Sequence, residues 1–203
     1  MQILEKNLQF KKQTRARTET NRVIIHHSAS HDVGVETIHQ WHLDRGWHGI
    51  GYHFCIRKNG DIERGRDEAT VGAHAGKSGN HDSIGVCLLG NYEEEAPTDA
   101  QMNSLVWLIK EYLTPKYGVL EVQGHNEFMS TACPGKKFPW DDLERRLKMP
   151  AVPEWKTSAI DYLAEEGLLN DPEYWKERID DVPPVWALFI MMERIYKAAK
   201  GVE

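Results

Sequence analysis

Residues 22–27 read Arg-Val-Ile-Ile-His-His, and the β-branched trio Val23, Ile24 and Ile25 marks a short buried strand that delivers His26 from rigid backbone. Three further apolar runs have the same character: GYHFCIRK (51–58), IGVCLL (84–89) and VLEVQG (119–124). Between them lie two helical patterns, VETIHQWHLDR (35–45) and TDAQMNSLVWLIKEYL (98–113). The second opens with Thr98 followed three residues later by Gln101, the spacing of a capping box. The expected class is therefore α/β: a mixed central sheet flanked by helices, with a small C-terminal helical region.

His26 gains meaning from GHNEFMSTACPG (124–135), which supplies His125 and, eight residues on, Cys133 in a Pro-Gly turn. Two imidazoles and a thiolate make three zinc ligands, and a three-ligand site leaves one coordination position open. Such an ion activates water and polarises a carbonyl, which points to hydrolysis of an amide or ester. A loop spacing of eight differs from the tight CxxC of a structural clip. His27 competes with His26, but neighbours on a strand face opposite ways, so one of the two faces the metal. A structural zinc would need a closing fourth ligand, with His27 and His53 as candidates. Glu127 reads as a solvated carboxylate.

Three stretches, TNRVIIHHSAS (20–30), the long segment from Ile38 to Tyr92 that includes GIGYHF and VGAHAGKSGNHDSIG, and QGHNEFMSTACPG (123–135), resemble in order the type 2 N-acetylmuramoyl-L-alanine amidases, a family that includes phage lysozyme-type amidases and peptidoglycan recognition proteins. The likeness is strongest to the phage branch. It implies a three-layer fold, one zinc ion on His26, His125 and Cys133, and bacterial peptidoglycan as substrate. It also implies that Tyr52, in the GYHF motif, orients water or donates to the oxyanion. Thr131 stands where some phage members carry Lys, and either side chain can donate to the carbonyl oxygen. The Gly-rich loop before IGVCLL borders the groove in the family, which makes His74 and Asn80 expected substrate contacts. The alternative for Asn80 is a turn closed by local hydrogen bonds. Two other functions share the scaffold: a non-catalytic peptidoglycan-binding module, and a bacterial recycling or autolytic amidase.

Trp41 falls on the helical spacing of Ile38, His42 and Arg45 and is expected to pack on the sheet. No run of about 18 apolar residues is present to span a membrane, and MQILEKNLQFKKQTRARTET has no apolar stretch of the secretory kind. The expectation is synthesis in the cytoplasm and action on the host cell wall after release, as for a phage or prophage endolysin. Cys55 and Cys87, in apolar runs, read as reduced buried thiols, and metal ligation needs Cys133 free.

Composition changes near MPAVPEW, where Pro150 and Pro153 frame a hinge, so residues 1–149 are expected to form the catalytic domain and 150–203 a separate helical region. Residues 151–203 hold six basic and eleven acidic side chains, nearly all of the chain's net charge of −6. An acidic region is a poor match for nucleic acid or anionic wall polymers, so no nucleic-acid partner is expected. Two helices joined by DPEYWKERIDDVPP are expected there, serving wall targeting through Trp155, Tyr174, Trp175 or Trp186, packing on the catalytic domain, or self-association.

Overall fold

The computed structural model describes residues 1–149, 154–177 and 185–200. The Pro150–Pro153 hinge and the side chains of Trp155 and Trp186 lie outside the described residues. The chain divides into two compact units, Met1–Lys148 and Met149–Glu203.

In the first unit six strands form one sheet: β1 (Ile3–Leu4), β2 (Arg22–His27), β3 (Phe54–Ile56), β4 (Ile62–Arg64), β5 (Ser83–Leu88) and β6 (Glu121–Gly124), in the order β1-β4-β3-β5-β2-β6. The sheet is mixed. β2 lies between β5 and β6 and runs parallel to both, β3 runs parallel to β5, and β3 pairs antiparallel with β4. The tight connection Lys58-Asn59-Gly60-Asp61 allows that one hairpin, with Asn59 Oδ1 accepting from the Asp61 N–H. β1, β4 and a short helix α2 (Gly76–Asn80) are not apparent from periodicity, because each is five residues or fewer.

Alternation along the strands divides the core in two. Val23, Ile25, Phe54, Ile56, Val86 and Leu88 pack under α3 (Asp99–Trp107) and the segment that follows it. On the opposite face Cys55 and Cys87 pack with Val35 and Ile38 of α1 (Val35–Asp44). This is the expected sheet between helices, and neither buried thiol is in a disulfide. His26 pairs in register with Cys87, and Cys87 with Cys55. His26 thus belongs to the α1 face, at the carboxyl end of the central parallel strand, where open α/β sheets place their sites.

The predicted helix over 98–113 is more complicated. Thr98 caps it as expected, with the reciprocal Gln101 contact, and buried Gln101 also donates to the Ile56 and Leu89 carbonyls. From Leu108 to Leu113 the backbone widens into a π turn before a last turn, α4 (Thr114–Tyr117). Pro115 has no N–H, and its ring would crowd the carbonyl four residues back. Thr114 Oγ1 donates to the Ile109 carbonyl instead. Helix α5 (Trp140–Lys148) completes that face through Leu143.

In the second unit the expected two helices become three: α6 (Glu154–Glu165), α7 (Pro172–Glu177) and α8 (Val185–Lys200). The additional one lies in the predicted connection, starts on Pro172, and is tied to α6 by the Lys176–Asp161 ion pair at 2.7 Å. Tyr174 and the α8 side chains Phe189, Met192 and Tyr196 are exposed. Among the described residues no helix is long and apolar enough to cross a membrane.

Candidate metal centre and active site

Three elements converge on one point. β2 delivers His26, a 3-10 turn (His125–Glu127) directly after β6 delivers His125, and the following loop delivers Cys133. One ligand atom from each lies within 4.8 Å of the others. His26 Nδ1 is 3.7 Å from Cys133 Sγ, and the His26 and His125 ring centroids are 4.4 Å apart.

The turn and the loop brace each other, since the Asn126 N–H donates to the Cys133 carbonyl at 3.0 Å. Glu127 has a structural task. Its carboxylate accepts from the Gly124 N–H at 2.7 Å and from Gln123, which pins the turn that carries His125. After Cys133 the chain passes against Tyr92 so closely that a Cβ on Gly135, at φ +107°, would meet the Tyr92 carbonyl carbon at 2.4 Å. Glycine is required there.

Several observations suit a cation. His125 Nε2 is the one buried side-chain nitrogen or oxygen without a hydrogen-bond partner among the described residues. Burial pushes the Cys133 thiol up to about 11 and lowers the His26 and His125 imidazoles. Unprotonated imidazoles are ready ligands, and the thiol needs a nearby positive charge to ionise. The His27 N–H already points at Cys133 Sγ from 3.4 Å. Two nitrogens and a sulfur form a donor set suited to zinc. His27 itself lies on the other side of the strand, with Nδ1 accepting from the Tyr92 N–H. His53 is also engaged, accepting from the Gly85 N–H on Nδ1 and facing the Thr70 carbonyl through Nε2.

Tyr52 stands over this cluster, its ring centroid 5.0 Å from that of His26. Burial raises its phenol well above the usual value, so it stays an O–H donor throughout the neutral range. Tyr52 also lines a groove of about 520 Å³ with Ser28, Trp41, His42 and Arg45. The loop segment before it is held by two histidines of α1: His39 Nδ1 accepts from the Ile50 N–H and His42 Nδ1 from the Gly51 N–H. Trp41 both packs on the α1-face core and forms part of the groove wall. Thr131 is exposed two residues before the thiol. Its Oγ1 accepts from the Cys133 N–H at 3.2 Å, which leaves the hydroxyl proton free to donate.

The two residues expected against the substrate make other contacts. Asn80 Oδ1 accepts from the backbone N–H groups of His74 and Ala75 at 2.8 and 2.9 Å, so it shapes the loop. His74 is buried, and its ring nitrogens face His26 at 2.9 Å and Ser83 at 3.3 Å. A substrate finds no free nitrogen on it. Spacing along the chain does not reveal this contact, because His74 and His26 are 48 residues apart.

The family model for N-acetylmuramoyl-L-alanine amidase matches residues 16–136, which include every residue of this centre. The endolysin of Escherichia phage T7 is 43% identical over 130 residues, covering 60% of this chain and 85% of the relative. Among solved structures, N-acetylmuramoyl-L-alanine amidase LysC from Clostridium intestinale superposes with a TM-score of 0.69 at 36% identity, covering 74% of this chain and 99% of that one. A point mutant of Drosophila PGRP-LB in complex with tracheal cytotoxin superposes at 0.62 with 28% identity, covering 68% and 91%. With its fold, its ligand cluster and its ordered motifs in agreement, the chain belongs to the N-acetylmuramoyl-L-alanine amidase family.

Proposed function

We propose that this chain is a zinc-dependent endolysin of a phage or prophage that hydrolyses the amide between N-acetylmuramic acid and the L-alanine of the stem peptide in bacterial peptidoglycan. Amidase activity follows from the family and from its endolysin and amidase relatives. The observation that carries the zinc reading is the convergence of His26, His125 and Cys133 beside Tyr52, which itself lines a groove of about 520 Å³.

His26, His125 and Cys133 would hold the zinc ion, which when bound would supply a nucleophilic water near neutral pH and polarise the scissile carbonyl. The remaining work belongs to the protein. Tyr52, protonated and adjacent to His26, holds the attacking water or donates to the carbonyl oxygen as charge develops on it. Thr131 offers a second donor, since its oxygen accepts from the Cys133 N–H and its hydroxyl proton is left free. The groove along Trp41 and Arg45 receives the chain attached to the scissile bond. His74 and Asn80 serve from behind the ligands.

Catalysis is assigned to residues 1–149. The acidic C-terminal helices serve wall attachment or self-association, a reading supported by the exposed aromatic and apolar side chains Tyr174, Phe189, Met192 and Tyr196. The zinc assignment is tested by Cys133→Ala. The variant should fold, lose stoichiometric zinc and lose turnover, and normal turnover by metal-free Cys133→Ala protein would refute it.

A further inference from the structure

We propose that His74 is the positioning residue that sets the metal-binding tautomer of His26, through a one-way hydrogen-bond chain from His26 to His74, Ser83 and the Gly79 carbonyl. The inference rests on the zinc reading above and identifies how this chain prepares one ligand.

The direction of the chain follows from counting protons. Ser83 has a single hydroxyl proton, which is directed at the Gly79 carbonyl oxygen. Its oxygen therefore accepts from His74 Nε2–H, 3.3 Å away. A neutral imidazole carries one N–H, so His74 Nδ1 is left as an acceptor. Among the described residues the one proton it can receive there is His26 Nε2–H, at 2.9 Å. His26 Nδ1 is then bare, and it is this atom that faces Cys133. The other tautomer would put a proton into the ligand cluster and two lone pairs between the rings. Both imidazoles are buried and no carboxylate touches either among the described residues, which favours the neutral forms that this count assumes.

Steric fit holds the relay in place. A Cβ on Gly72 would approach His74 Cδ2 to 2.5 Å, and one on Gly85 would approach Cγ and Cδ2 to 2.5 Å. The two glycines therefore leave room for the His74 ring and nothing more. Asn80 fixes the backbone beneath it by accepting the His74 N–H. A hydrogen bond to the non-ligating nitrogen is what determines which nitrogen of a histidine binds metal. Here that partner is a second histidine, whose own orientation is fixed by a serine.

The test uses the full chain. Zinc affinity is measured by competition with a chromophoric chelator for wild type, His74→Leu and His74→Asn, with folding checked by circular dichroism. Losing such a partner costs about 10-fold to 100-fold in metal affinity, so His74→Leu should bind zinc that much more weakly. His74→Asn, whose Oδ1 replaces Nδ1 as acceptor, should recover most of the loss. Nitrogen-15 spectra of zinc-loaded wild type should show the His26 proton on Nε2 and the metal on Nδ1. This readout needs no variant to fold. A proton on His26 Nδ1, or wild-type affinity in folded His74→Leu, would overturn the positioning role alone. A wild-type protein that binds no zinc would overturn the zinc reading itself.

Discussion

Replacing Gly135 by alanine tests whether the Cys-Pro-Gly turn is as tightly built as its contacts indicate. At φ +107° an L side chain adopts a conformation costing about 1–2 kcal/mol. The new Cβ would also lie 2.4 Å from the Tyr92 carbonyl carbon, 2.5 Å from its oxygen and 2.8 Å from the Glu93 nitrogen. These are backbone atoms, which cannot rotate away as a side chain would, and such overpacking costs about 1–3 kcal/mol. The reduced freedom of the unfolded alanine chain returns about 0.4–1 kcal/mol. The net is a loss of about 1–4.6 kcal/mol, or about 2–18 °C in melting temperature for a unit of this size. Gly118→Ala is the control, because φ is +80° there and nothing lies within 4 Å of the added Cβ. It bears the strain without the collision and should melt within a few degrees of wild type. Melting followed by near-ultraviolet circular dichroism, with zinc affinity measured alongside, separates the two. Equal melting of both variants would refute the steric argument, and unchanged zinc affinity in Gly135→Ala would refute the link to Cys133.

Other outcomes follow from the same structure. Tyr52→Phe should retain zinc while kcat falls about 100-fold to 1000-fold, the usual effect of removing one oxyanion donor, and a fall below 10-fold would remove Tyr52 from the chemistry. Stability of the zinc-free protein should drop as pH falls from about 6.5 towards 4. Burial holds His53 down to about 3 and His42 down to about 4, so the folded state resists protons that the unfolded chain takes up below its ordinary histidine value. The stabilisation is complete above about pH 6.5, and His53 alone forfeits about 3 kcal/mol by pH 4. Urea midpoints at pH 7, 5.5 and 4.5 read this directly, and a flat series would contradict it. Glu68, held at about 2 by Arg64, Tyr112, Lys116 and Tyr117, adds a loss of the same sign, but that loss begins only near the ordinary carboxylate value of about 4.5, so the fall between pH 7 and 5.5 belongs to the histidines.

Why some of this was legible in the sequence and some was not has physical reasons. β2, β5 and α1 stand out because each is long enough to display a period, and the Thr98 cap because its two partners are three residues apart. β1 and β4 have two and three residues and are defined only by their pairing. The π turn after Trp107 does not show in the helical spacing of residues 98–113. At the centre, His26, His125 and Cys133 were legible as a donor set, and the fold shows why the first of two adjacent histidines faces the cluster: strand alternation turns His27 to Tyr92. The Gly-rich loop was legible as a place of close approach, but what approaches Gly72 and Gly85 is the His74 ring. No spacing rule could reveal that, since the contact joins a loop to a strand 48 residues earlier. Other histidines of the chain have structural tasks. His39, His42 and His53 hold backbone amides in place.

The central claim is tested most directly by incubating the purified protein with a defined muramyl peptide and following the products by mass spectrometry, with and without a chelator and with zinc restored. The account predicts a new free L-alanine amino terminus that disappears with chelator and returns with zinc. Cleavage at another bond, or undiminished cleavage in fully zinc-free protein, would contradict it.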